Sequence, residues 1–263
     1  MTVRTRAEIA SARRIVVKVG SSSISGENAG QIASLVEALA AAHARGVEVV
    51  LVSSGAIATG MPYLRLDSRP SDLATQQAAA SVGQNLLVVR YQDALDRFDI
   101  IAGQVLLTAT DLENETPRHN AQRAMDRLLA LRILPIVNEN DTVATHEIRF
   151  GDNDRLAALV AELIGADLLV LLSDVDALYT KPPHLEGAVR IAHVPHGDVL
   201  AGVEIGSVGR AGVGTGGAET KVSAARIAAD AGAAVLITAT PLVAEALAGV
   251  EIGTWFDPAP AAG

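Results

Sequence analysis

The sequence predicts an α/β fold, a three-layer sandwich in which an open, mostly parallel sheet lies between two layers of helices. Three observations carry that prediction. Short aliphatic runs of strand length alternate along the chain with amphipathic stretches of helix length, the order that builds parallel sheets through crossover connections. Apolar residues fill 49% of the 263 positions but aromatics only 3%, so Ala, Val, Leu and Ile must build the core, as they do where strands are buried on both faces. The unusual glycine, serine, lysine and acidic residues fall just after the aliphatic runs, where ligands bind in such sheets.

In chain order the strand-like runs are 14–19 (RIVVKV), 47–53 (VEVVLVS), 100–106 (IIAGQVL), 133–137 (ILPIV), 167–173 (DLLVLLS) and 234–238 (AVLIT). Helical stretches are expected at 29–45, at 71–97 with room for a break, and at 118–132, 153–164 and 219–231. In the fourth, Leu156, Leu159, Val160, Leu163 and Ile164 follow the i, i+3, i+4, i+7, i+8 spacing of one buried face. Two stretches interrupt the rhythm. Residues 138–154 are polar, with room for a hairpin around TVATHEIRF, and 179–218 hold several Pro and Gly and end in GSVGRAGVGTGG.

Composition excludes several classes of function. With no cysteine there is no disulfide, thiolate metal site or cysteine nucleophile. A formal charge of −9 argues against nucleic-acid binding, which rests on a basic surface. The longest apolar run, ADLLVLL, is far short of the roughly 20 residues of a spanning helix, and the N-terminal IVVKV is too short for a signal core. A cytoplasmic protein with no membrane partner is therefore expected. Only Lys18, Lys181 and Lys221 are lysines among 21 cationic residues.

Two of those lysines flank glycine turns. KVGSSS (18–23) follows the first strand, and GVGTGGAETK (212–221) opens a helix; backbone N–H groups in such turns cradle anions, and an ammonium adds a point charge. An ordinary strand exit and a mobile connector would account for either segment alone. VSSGAIATG (52–60) suits a carboxylate pocket or a capped strand-helix junction. NENDT (138–142) could hold an ammonium group, although turns also favour Asn and Asp. SDVDALY (173–179) could touch a nucleotide or form a solvated turn, Lys181 reads as a turn residue, and the six histidines show no ligand spacing. In FGDNDR (150–155), helix capping uses one or two of Asp152, Asn153 and Asp154 and leaves one for another task. Two lysine cradles and two acidic-amide clusters at one sheet edge suggest phosphoryl transfer, where catalysis is positioning and charge neutralisation.

VVKVGSSS, VLVSSGAIATGM, QAAASVGQ, GQVLLT, IVNENDTVATHEIRFGDNDRL, LLSDVDALY and GVGTGGAETK, in this order, resemble the glutamate kinases of the amino acid kinase family over nearly the whole chain. The resemblance implies the carbamate kinase-like fold in a single kinase domain over 1–263, with an amino-acid-binding lobe at roughly 1–165 and a nucleotide-binding lobe at roughly 166–257. It implies ATP-dependent phosphorylation of the γ-carboxylate of L-glutamate at the head of proline synthesis, with Mg2+ on the nucleotide and no metal held by the protein alone. By the same resemblance Lys18 and Lys221 neutralise the transferring group and Asp154 orients them. Ser54, Asp141 and Asn153 bind glutamate. Lys18, Ser173, Asp174, Thr215, Gly216, Gly217, Ala218, Glu219, Thr220 and Lys221 contact the nucleotide. It further implies a homo-oligomer and functional coupling to a reductase that consumes the product.

There are two departures from the pattern. Ala218 stands where many relatives have methionine, and the chain leaves no room after VEIGTWFDPAP for the PUA domain that many relatives carry. Other readings are a different member of the family (aspartate, acetylglutamate, uridylate or carbamate kinase) and a silent sensor of amino acid and nucleotide. SSGAIATG and NENDTVATHEIRFGDND weigh against the first, and the retained lysines and Asp154 weigh against the second.

Overall fold

The computed structural model describes residues 3–144, 153–200 and 217–260. All six strand-like runs are strands: β1 (Arg14–Lys18), β2 (Glu48–Val52), β3 (Ala102–Leu107), β4 (Leu134–Glu139), β5 (Leu168–Ser173) and β9 (Ala234–Ala239). Four short strands lack the aliphatic signal and go unread in the sequence: β6 (Leu178–Tyr179), β7 (Arg190–Ile191), β8 (His193–Val194) and β10 (Thr254–Phe256). The helices are α1 (Gln31–Ala44), α2 (Ala56–Gly60), α3 (Leu73–Leu95), α4 (Ala109–Glu113), α5 (Glu115–Ala130), α6 (Asn153–Ile164), α7 (Ala218–Asp230) and α8 (Val243–Leu247).

Among the described residues the main sheet has eight strands in the order β3-β4-β2-β1-β5-β9-β10-β8, and β6 and β7 form a separate antiparallel pair. Every main-sheet pairing is parallel except β9 with β10. Strands β1 to β4 occupy one half of the sheet and β5, β8, β9 and β10 the other, with β1 and β5 side by side at the centre. The order therefore reverses between β1 and β5, and such a switch point opens a crevice outside the carboxyl ends of the two strands.

Strand residues alternate between two apolar layers. Ile15 and Val17, Val49 and Leu51, and Leu168 and Val170 pack with α1, α3 and α8. Val16, Val50 and Leu169 pack with α5, α6 and α7 on the other face. Because successive side chains point to opposite faces, Lys18 projects to the same side as Val16, beneath α6 and α7.

Three elements differ from the sequence reading for identifiable reasons. Helix α3 runs unbroken through Gly83, a glycine required by packing: a Cβ there would overlap the carbonyl of Ala56, and one at Gly60 would overlap that of Ala79. Helix α5 starts at Glu115, ahead of Pro117, because a first-turn N–H has no helical acceptor to lose. Strand β4 continues through Asn138 and Glu139, both buried, so half of the NEND cluster is sheet and not turn. The hairpin expected around TVATHEIRF lies largely outside the described residues, as does most of GSVGRAGVGTGG.

Candidate active site

Strand β1 ends at Lys18 in the switch-point crevice. Helices α6 and α7 begin above it, and their first turns carry Asp154 and Lys221. The Lys18 ammonium contacts Asp154 Oδ1, and the Lys221 ammonium donates to Asp154 Oδ2 at 3.0 Å. Each carboxylate oxygen thus takes one lysine. The exposures are 3% for Lys18, 0% for Asp154 and 7% for Lys221, so all three charges are held away from bulk water. Burial costs several kcal/mol per ion and is offset only when charges are closely paired. Together the three groups carry one positive charge, and the positive ends of two helix dipoles point the same way.

Thr220 strengthens the mount. Its hydroxyl lies 3.3 Å from Asp154 Oδ2 and 2.9 Å from the carbonyl of Gly217, the residue that precedes α7. Gly217, Ala218 and Glu219 therefore lie at the helix start beside the charge cluster. Thr215, Gly216 and Asp152 lie outside the described residues.

Asn153 is buried one residue before Asp154, and both hydrogens of its amide are committed. They go to the Ser53 carbonyl at 2.7 Å and to Asn138 Oδ1 at 2.8 Å. Asn153 therefore ties the ends of β2 and β4 to the start of α6. Ser54 follows β2 in a half-buried position, next to Gly55, whose φ of 93° begins α2. Asp141 follows β4, also half-buried.

On the other side of the crevice Ser173 ends β5, and its hydroxyl donates to Asp174 at 3.1 Å. Asp176 accepts from the Tyr179 hydroxyl at 3.0 Å; burial first, and then this carboxylate, raise the phenol above its usual range. Lys181 lies in a bend against Gly187, consistent with a turn residue. Among the described residues no group of three His, Cys, Asp or Glu is placed to hold a metal.

A family model described as the amino acid kinase family matches residues 13–239, a span that contains Lys18, Asn153, Asp154 and Lys221. The chain belongs to the amino acid kinase family. Within it, the chain is 75% identical over 259 residues to the glutamate 5-kinase of Leifsonia xyli subsp. xyli, covering 98% of this chain and 96% of that one. It is 75% identical to the glutamate 5-kinase of Clavibacter sepedonicus, covering 98% and 99%. The glutamate 5-kinase of Thermobifida fusca is 57% identical over 97% of this chain, which spans 67% of that longer protein. The carbamate kinase-like architecture is seen directly in the carbamate kinase from Giardia lamblia bound to AMP-PNP, with a TM-score of 0.68 at 15% identity over 95% of this chain and 99% of that one.

Sequence reasoning missed several buried polar groups around the site. Gln84 bonds Asn138 Nδ2 and the Glu139 carbonyl, and Tyr91 bonds the Ser53 hydroxyl at 2.9 Å. Thr240, after β9, bonds Ser23 Oγ at 2.9 Å and lies 3.2 Å from the Ser173 carbonyl. A signal for Gln84 did exist: Ala80, Leu87 and Tyr91 share its helix face at i, i+4, i+7 and i+11 spacing, so it is a lone amide on a buried stripe. Thr240 has no comparable local signal.

Proposed function

We propose that the protein transfers the γ-phosphoryl group of ATP to the γ-carboxylate of L-glutamate, forming the L-glutamyl 5-phosphate with which proline biosynthesis begins. The observation that carries this reading is the Lys18–Asp154–Lys221 cluster at the β1/β5 switch point, in a chain so close to glutamate 5-kinases. Glutamate's side chain, with a pKa of about 4.3, is already a carboxylate at neutral pH, so no general base is required. A carboxylate oxygen attacks the γ-phosphorus, the bond to the β,γ-bridging oxygen breaks, and ADP leaves with that electron pair. Both lysines neutralise the phosphoryl oxygens while Asp154 keeps their ammonium groups at a set separation.

In this reading the half of the chain at roughly 1–165 binds the amino acid, through Ser54, Asp141 and Asn153. The half at roughly 166–257 binds the nucleotide, through Ser173, Asp174 and the stretch Thr215 to Lys221, with Lys18 reaching across. The division of the sheet into β1–β4 and β5, β8–β10 supports it. Mg2+ would be carried by phosphate oxygens and water, the hard octahedral shell it prefers, and would supply charge neutralisation on the nucleotide. Work as a cytoplasmic homo-oligomer and transfer of the labile acyl phosphate to a reductase belong to the same proposal.

An ATP-consumption assay over a panel of amino acids, with hydroxylamine present to trap acyl phosphate, tests the reaction. Hydroxamate from glutamate above all others is expected; its absence with glutamate would reject the proposal.

A further inference from the structure

We propose that helix α3 sets the geometry of the acceptor side of this site through Gln84 and Tyr91, two positioning residues that hold Asn153 and, through it, the start of α6 with Asp154. The proposal rests on the phosphoryl-transfer reading above. Three side-chain amides and three backbone groups form one buried chain. Gln84 Nε2 donates to the Glu139 carbonyl at 3.2 Å, and Gln84 Oε1 accepts from Asn138 Nδ2 at 3.2 Å. Asn138 Oδ1 accepts from the Glu139 N–H at 2.9 Å and from Asn153 Nδ2 at 2.8 Å. Asn153 Nδ2 also reaches the Ser53 carbonyl at 2.7 Å.

Backbone groups fix the direction of this chain at both ends. The Glu139 N–H can only donate, so Asn138 must turn its oxygen toward it and its NH2 toward Gln84. The Ser53 carbonyl can only accept, so Asn153 must turn its NH2 inward. Either amide reversed would set two acceptors or two donors face to face in a buried place, which costs a desolvated, unmade bond. Gln84 is the group that accepts the Asn138 NH2, and without it that buried NH2 loses this acceptor while the oxygen keeps its bonds to the Glu139 N–H and Asn153.

Tyr91 reaches the same residue by a second route. It lies seven positions after Gln84, on the same face of α3, and its hydroxyl bonds Ser53 Oγ at 2.9 Å. It is fully buried, and burial pushes its phenol well above the usual range, so the hydroxyl stays protonated and available to Ser53. Ser53 is the residue whose carbonyl receives Asn153. Thus α3 grips Asn153 through Asn138 on β4 and through Ser53 after β2. The Tyr91 ring packs in the core with Leu87 and Leu95, so what the two residues add beyond packing is the Gln84 amide and the Tyr91 hydroxyl.

The test compares wild type, Gln84→Met and Tyr91→Phe by hydroxamate kinetics with each substrate varied, and by the side-chain amide signals in 15N spectra. The Asn153 signal is identified by its loss in Asn153→Ser. Expected for Gln84→Met are a fall of about 10- to 100-fold in kcat/KM for the amino acid, an unchanged KM for ATP, and a shifted, faster-exchanging Asn153 NH2. Tyr91→Phe, a milder change, should move the same quantities by less. Normal kinetics and an unchanged Asn153 signal in a folded Gln84→Met would overturn the proposal, as would equal changes in both substrates' KM with loss of thermal stability. If wild type itself makes no hydroxamate, the proposed reaction fails, and the Asn153 signal alone still decides the role of α3.

Discussion

Asp154 holds two ammonium groups, and its neighbours make that role costly to lose. Replacing Asp154 by Asn removes the charge that both lysines share, and breaking a buried ion pair on one side costs about 3–5 kcal/mol. Asp154→Asn should therefore unfold at a lower temperature and also lose activity, and calorimetry with the hydroxamate assay measures both. Full activity would reduce the residue to a capping group. If Lys221 acts as proposed, on the charge that develops in transfer, Lys221→Ala should lower turnover far more than it weakens glutamate binding. Equal losses in kcat and glutamate affinity would assign it a positioning role. Thr240 is a different case. Its hydroxyl laces the turn after β1 to the end of β5, so Thr240→Val should raise the KM for ATP while Thr240→Ser retains the wild-type value.

Helices α2 and α3 illustrate how an element is chosen by its neighbour. Gly83 in a helix interior costs about 1 kcal/mol relative to alanine, so propensity alone recommends Gly83→Ala. The added Cβ would overlap backbone atoms of α2, and overpacking typically costs about 1–3 kcal/mol. The overlap wins, and Gly83→Ala should lower the unfolding temperature; a rise would show that the two helices separate freely. At the N-terminus of α3, Asp72 caps the helix by accepting from the Thr75 N–H at 2.8 Å, and that bond holds its carboxyl below the usual range. A depressed folded-state pKa means that the cap's contribution is present above the unfolded value near 3.8 and is lost as pH falls through the folded one. Asp72→Asn, still a good cap, should remove that part of the acid sensitivity, read as a shift in the acid-unfolding profile by circular dichroism.

At the scale of the molecule, two half-sheets meet at β1 and β5, and a substrate is assigned to each. Either ligand should then raise the unfolding temperature by itself, since a ligand at 100 times its Kd stabilises the folded state by about 2.7 kcal/mol. Thermal shifts with glutamate alone and with a non-hydrolysable ATP analogue alone measure this. A shift that needs both together would mean that one site is built only when the other is filled.

Much of this architecture was legible in the chain because it rests on local signals. Six aliphatic runs and the period of α6 identify the layers, and the lysine-glycine turns and FGDNDR mark the groups that the structure brings together as a charge cluster. Burial on two faces and helix periodicity are properties of adjacent residues, so sequence by itself determined the fold class and nominated Lys18, Asp154 and Lys221. Tertiary structure alone decided what those groups do to one another. That Asp154 divides its two oxygens between two lysines depends on the parity of β1 and on two helices beginning over one strand end. That Asn153 faces inward is set by the Ser53 carbonyl just after β2 and the Asn138 amide oxygen on β4, 100 and 15 positions away. Hydrogen bonds and ion pairs act over a few ångströms of space with no regard for separation along the chain, and so they appear only once the sheet has brought their partners together.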